Sequence, residues 1–103
     1  MVTLDKYFKA LANQKRIDLF HYLQKNGECT IEHLSEIFKL PYETVFRNLS
    51  VLRTAGFVNS RIYHSKAFFK VNMEAAEVVY YLSVLIKKKG VVNHSEYKFN
   101  ERE

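Results

Sequence analysis

The chain is 103 residues long with formal net charge +5, 48% hydrophobic and 26% charged residues, 3 Gly, 1 Pro and 1 Cys. That length fits one small domain; the apolar fraction excludes a disordered chain, and the single cysteine excludes an internal disulfide framework and a multi-cysteine zinc site. No charged-then-apolar leader opens the chain, and its most apolar stretch, Val78 to Ile86, falls far short of the ~20 residues that cross a bilayer, so a cytoplasmic protein with no membrane partner is expected.

Leu4, Phe8 and Leu11, joined by Tyr7, recur at helical spacing and predict a first helix over residues 3–12. Asn13 offers an N-cap to a second helix with Ile17, Phe20, Tyr22 and Leu23 on its apolar face, and Asn26-Gly27 supplies a left-handed stop. Thr30 is the next N-cap, ahead of Ile31, Leu34, Ile37 and Phe38 on a short third helix. Leu40-Pro41 ends that helix and starts a fourth, with Pro41 expected at the first helical position, where its missing N–H costs nothing. Val45, Leu49 and Leu52 give this helix a buried stripe with Phe46 beside it, and Gly56 ends it.

Beyond Gly56 the period changes from helical to alternating: Val58, Ser60 and Ile62, then Phe69, Lys70 and Val71, flank the polar quartet Tyr63-His64-Ser65-Lys66, which predicts a β-hairpin. Residues 73–89 are again helical but apolar on every side, more surface than one small domain can cover, so a dimer formed through this helix is expected. The expected organisation is one domain over 1–89 and a polar tail over 90–103. Its order is α-α-α-α-β-β-α, mainly α with a small β-hairpin.

Charge is unevenly distributed over these pieces: +3 over residues 1–26, −2 over 27–40, +4 over 41–72 and 0 over 73–103. A basic excess confined to particular elements suits a polyanion. Two helices joined by a tight turn, the second with a polar and cationic face, followed at once by a basic hairpin, describe a winged helix-turn-helix. Such a helix fits the major groove of double-stranded DNA, where its outward side chains reach base edges while flanking cations hold phosphates. Tyr42, Glu43, Thr44, Arg47 and Asn48 project from its first turns; Arg47 suits guanine and Asn48 adenine by two-point hydrogen bonding, and Glu43 suits a cytosine amino group. Arg61, His64 and Lys66 in the hairpin, and Lys15 and Arg16 at the start of the second helix, are the candidate backbone contacts.

The run from Phe8 to Asn72 resembles the ArsR family of winged helix-turn-helix repressors. The matching features are ALANQKRIDLFHYL, the TIEHLSEIF helix, the TVFRNLSVLRTAGFV helix and turn, and the SRIYHSKAFFKVN wing. The resemblance implies a homodimeric transcriptional repressor, built through the first and last helices and bound to an operator with two-fold character. Leu4, Tyr7, Phe8, Leu11, Val78, Tyr81, Leu82 and Leu85 are then the candidate interface residues. Phe46 stands where the family usually has Ser, which exchanges a DNA-facing hydroxyl for a ring and implies a different operator.

The family's third-helix metal site is written around Glu-Leu-Cys-Val-Cys-Asp-Leu, whereas this chain has Glu28-Cys29-Thr30-Ile31-Glu32-His33-Leu34, with Thr30 and Glu32 at the two cysteine positions. The last-helix metal site needs Asp and His, and residues 73–89 contain neither. No metal or other cofactor is therefore expected. Catalysis is not expected either, because the chain has no Gly-rich phosphate loop and only one thiol-imidazole pair, Cys29 and His33. Two rival readings remain: a sensor using Cys29 and His33 for a metal, a ligand or thiol chemistry, with Glu32 nearby, and a winged-helix protein-interaction module whose last helix docks a partner.

Overall fold

The computed structural model describes residues 3–88, apart from the side chains of Leu4 and of residues 82–88. Leu4, Leu82 and Leu85 as interface side chains, and the expected tail 90–103, therefore lie outside what is described. The elements are α1 (Leu4–Leu11), α2 (Gln14–Asn26), β1 (Cys29–Thr30), α3 (Ile31–Phe38), α4 (Tyr42–Thr54), β2 (Val58–Tyr63), β3 (Lys66–Val71) and α5 (Met73–Lys88). The expected order holds with one addition. Cys29 and Thr30 pair antiparallel with Phe69 and Phe68, so the hairpin becomes a three-stranded sheet of order β1-β3-β2. Two residues are too few to show a strand period in a sequence; only the tertiary pairing makes them one.

Local chemistry sets most of the element ends. Asn13 Oδ1 accepts from the Arg16 amide at 3.2 Å and Thr30 Oγ1 from the His33 amide at 3.1 Å, satisfying N–H groups that the first turns of α2 and α3 leave free. Gly27 ends α2 with φ 85° and ψ −163°, outside the left-handed helical well expected for it but in a region that in practice only glycine occupies. At the end of α3 the left-handed position falls instead to Lys39 (φ 56°, ψ 44°), and Leu40 donates back to Ser35 O at 3.2 Å. Pro41 is the N-cap of α4 rather than its first residue, with extended ψ of 149°; its carbonyl accepts from Thr44 and Val45. Helix α4 closes in a Schellman motif, in which Gly56 (φ 88°) donates to Arg53 O at 3.0 Å and Phe57 to Leu52 O at 2.9 Å.

Phe57, two residues past the end of α4, joins the layers. It is fully buried, and its ring lies 5.0 Å from Tyr7 of α1 and 5.8 Å from Phe20 of α2. Its carbonyl accepts from the Asn72 amide at 2.9 Å, and the Asn72 side chain in turn accepts from the Glu74 amide at the start of α5. Around it Leu19, Phe20, Leu23, Ile31, Leu34, Val45, Leu49, Leu52, Val58 and Phe69 form the core. Tyr7 and Leu11, expected at a partner surface, are half-buried and pack on this chain's own core. Phe8, Val78 and Tyr81 are exposed, as are Met73 and Tyr80, while Ala75, Ala76 and Val79 turn the inner side of α5 onto the core.

Among the described residues no helix is long and apolar enough to cross a membrane. Because one ring joins α1, α2 and the exit from α4, Phe57→Ala is expected to lower unfolding free energy by about 3–5 kcal/mol. Urea denaturation at fixed protein concentration measures it, and a loss below about 1 kcal/mol would contradict this role.

Candidate nucleic-acid interface

Helix α3, the turn over Lys39–Pro41 and helix α4 form the helix-turn-helix. Val45, Leu49 and Leu52 bury one side of α4 completely. Tyr42, Glu43, Phe46 and Arg47 are exposed on the rest of its first half, and Thr44 and Asn48 are half-buried at its margin. Phe46, expected beside the buried stripe and in place of a DNA-facing hydroxyl, is exposed on the outer side of α4. Arg53 in the last turn donates to Ser60 Oγ of β2 at 3.1 Å, which fixes the wing relative to α4.

Arg16 and Asn48, expected at phosphate and at a base, are both engaged within the chain. The Arg16 guanidinium donates from Nε to Ala10 O at 2.6 Å, from Nη2 to Lys9 O at 3.1 Å, and from Nη1 to Asn48 Oδ1 at 3.1 Å. Asn48 Nδ2 donates to Thr44 O at 2.9 Å. The planar fork thus donates to carbonyls at the end of α1, beyond which no further helical turn supplies N–H donors, and ties that end to the middle of α4. Each polar atom of Asn48 thus has one partner within the chain, which fixes the orientation of its amide and leaves one Nδ2 hydrogen and one Oδ1 lone pair for a further contact. Lys15, next to Arg16, is exposed.

The wing strands are paired from Val58 with Val71 to Tyr63 with Lys66. His64 and Ser65 form the tip at φ 50° and 65°, the positive values that both central residues of a type I′ turn require. Glycine or asparagine is usual there; the expected polar quartet gave the turn's place but not this conformation. Arg61 Nε and Nη2 donate to the two carboxylate oxygens of Glu28 at 2.8 and 2.9 Å, and its guanidinium lies 5.2 Å from the Phe68 ring centroid and 5.4 Å from that of Tyr63. This bidentate, charge-assisted pairing holds the Glu28 carboxyl below the usual range and raises Arg61 further. Lys66 Nζ stands 3.9 Å from Glu32. The acidic piece over 27–40 is therefore folded against the basic wing, which addition along the chain does not reveal.

Cys29 and His33 make separate contacts. Cys29, on the strand paired with β3, is buried and its thiol donates to Gly27 O at 3.4 Å, while His33 Nε2 shares a 3.1 Å hydrogen bond with the Tyr22 hydroxyl. Burial, and then the Glu28 charge, push the Cys29 pKa up, the opposite of the activation that a helix N-terminus would provide. Among the described residues no group of three or more His, Cys, Asp or Glu side chains is placed to hold a metal.

Residues 13–60, from the N-cap of α2 to the start of the wing, match the model of the bacterial regulatory proteins of the arsR family. Over these residues the chain resembles the arsR family of bacterial regulatory proteins. It is 26% identical over 88 residues to the arsenical resistance operon repressor of Bacillus subtilis (strain 168), spanning 84% of each chain. Its fold is similar to that of HlyU from Vibrio cholerae, with TM-score 0.67 and 27% identity over 78% of this chain and 87% of that one. It is also similar to the homodimeric winged helix-turn-helix DNA-binding domain of a possible ArsR-family regulator from Mycobacterium bovis, with TM-score 0.76, 22% identity, and coverage of 84% and 80%. The helix-turn-helix and wing are thus shared with these structures, while the Arg16 staple and the Glu28 and Glu32 pairings are read from this chain's own residues.

Two outcomes follow from this geometry. A double-mutant cycle of Arg16→Gln and Asn48→Ala in urea denaturation is expected to show a coupling of roughly 0.5–3 kcal/mol, and additive losses would mean that the staple carries no energy. Iodoacetamide should alkylate Cys29 much more slowly in the folded chain at pH 7.5 than in denaturant; equal rates would contradict a buried, protonated thiol.

Proposed function

We propose that this chain is a homodimeric, sequence-specific transcriptional repressor of the ArsR type that binds double-stranded operator DNA of two-fold character in the cytoplasm, without a metal or other cofactor and without catalytic activity. The observation that carries this reading is the solvent-facing side of α4: an exposed Arg47 beside Glu43, Tyr42 and Phe46, presented by a fully buried stripe and followed by a wing carrying Arg61 and Lys66. Arg47 reads a base, with Glu43, Tyr42 and Thr44 beside it. Lys66, Arg61, His64 and Lys15 meet the phosphates, because an exposed cation near a duplex gains by releasing condensed counterions.

Homodimer formation is supported by the exposed apolar side chains of α5 (Met73, Val78, Tyr80 and Tyr81) and by Phe8 on α1, more apolar surface than this small domain covers itself. The buried thiol of Cys29 and the separate engagement of His33 favour an unliganded repressor over a sensor built on that pair.

Glu28 and Glu32 compete with phosphate for Arg61 and Lys66. Glu28 is ionised over the whole physiological range, and acidification through its lowered carboxylate range would release Arg61. Binding titrations with duplex DNA test these assignments together. Arg47→Ala should lose sequence preference, Lys66→Ala should make the salt dependence shallower by about one unit of slope, and Glu28→Gln should strengthen binding and steepen that slope. Absence of wild-type affinity for any duplex at low salt overturns the proposal.

A further inference from the structure

The first half of α4 exposes two kinds of side chain. Arg47 and Glu43 are charged, whereas Tyr42 and Phe46 are aromatic, stand one helical turn apart and are 45% and 44% exposed. Leaving a phenylalanine ring in water on a helix that buries three other apolar side chains completely has a solvation cost that folding alone does not require. The side chain at the margin of this face best suited to an adenine edge, Asn48, is closed on Arg16 and Thr44. The exposed base-directed chemistry of the helix's first half is therefore one guanidinium, one carboxylate and an aromatic pair, with Thr44 and the internally bonded Asn48 at its margin.

In the major groove only one of the four bases offers an apolar group, the C5 methyl of thymine. We infer that Phe46, backed by Tyr42 one turn before it, reads the C5 methyl group of a thymine, and that each half-site bound by this chain contains a thymine whose methyl group carries specificity. The inference rests on the DNA-binding reading above and deepens it by naming the base. Arg47, next to Phe46, reads a guanine in the same half-site. The patch is assigned to a nucleic acid rather than to an apolar protein partner because Arg47 adjoins the rings and Arg53 continues the exposed side of the same helix towards the wing.

The test uses duplexes recovered by the full chain from a random-sequence pool, with each thymine replaced singly by deoxyuridine, which removes the methyl and keeps the base pair. At one thymine per half-site the wild type should weaken about fourfold, and about fifteenfold when both half-sites are changed, the scale of one buried apolar carbon in each half-site. Phe46→Ser should bind thymine and deoxyuridine duplexes equally, and Phe46→Leu, which keeps an apolar side chain against the methyl, should retain part of the discrimination. Thermal unfolding of both variants checks that the exposed substitution leaves the fold intact. Equal wild-type affinity for thymine and deoxyuridine duplexes at every position overturns the inference while leaving the regulator reading standing. Undiminished discrimination in Phe46→Ser overturns the assignment to Phe46. Failure of the wild type to enrich any sequence overturns the regulator reading and this inference with it.

Discussion

The structure depends most on the burial of Phe57 at the exit from α4. Its amide closes the recognition helix, its ring packs on Tyr7 and Phe20, and its carbonyl receives the Asn72 amide at the start of α5. One residue therefore sets where α4 ends, where the wing begins and where α5 departs. A large, fully buried apolar ring forces this because protein interiors are close-packed, so that moving any one element away from it opens a void. Gly56 makes the arrangement reachable, since φ of 88° reverses the chain quickly enough to drop Phe57 into the core.

On that frame, the Arg16 guanidinium connects two helices that carry different tasks. It holds the end of α1, whose outer residue Phe8 belongs to the proposed partner surface, and the middle of α4, whose outer residues face the proposed operator. Two of its hydrogen bonds hold α1 and one holds α4, so a displacement of α1 would meet α4 through the directed Arg16–Asn48 bond. The electrostatics of the wing are similarly internal. Glu28 and Glu32 lie against Arg61 and Lys66, which lowers the field that a duplex would meet and leaves Arg47 and Lys15 as the more open cations. Exposed ion pairs of this kind add little to stability, so their main effect falls on encounter with a polyanion.

Much of the fold was legible from the residues. The spacing of Val45, Leu49 and Leu52, the caps at Asn13 and Thr30, and the change of period after Gly56 each rest on interactions within a few residues of one another, which composition and spacing encode directly. The candidate interface was legible in part for the same reason: the exposed positions of α4 follow from which positions are buried. Phe46 was legible only by resemblance, because periodicity put it merely beside the apolar stripe while the family likeness put it at a DNA-facing position.

The sequence by itself determined the element order, the helix-turn-helix and hairpin, the position of the basic elements, the likeness to the ArsR family and the lack of its cysteine metal register. Only the tertiary structure decided that Cys29-Thr30 forms a third strand, that Arg16 and Asn48 are closed on each other, and that Glu28 and Glu32 shield the wing. The physical reason is sequence distance. Caps and periodic faces are made between residues a few positions apart, whereas Arg16 with Asn48 and Glu28 with Arg61 are joined across 32 and 33 positions. Such pairings leave no local signal until the core has brought their elements together.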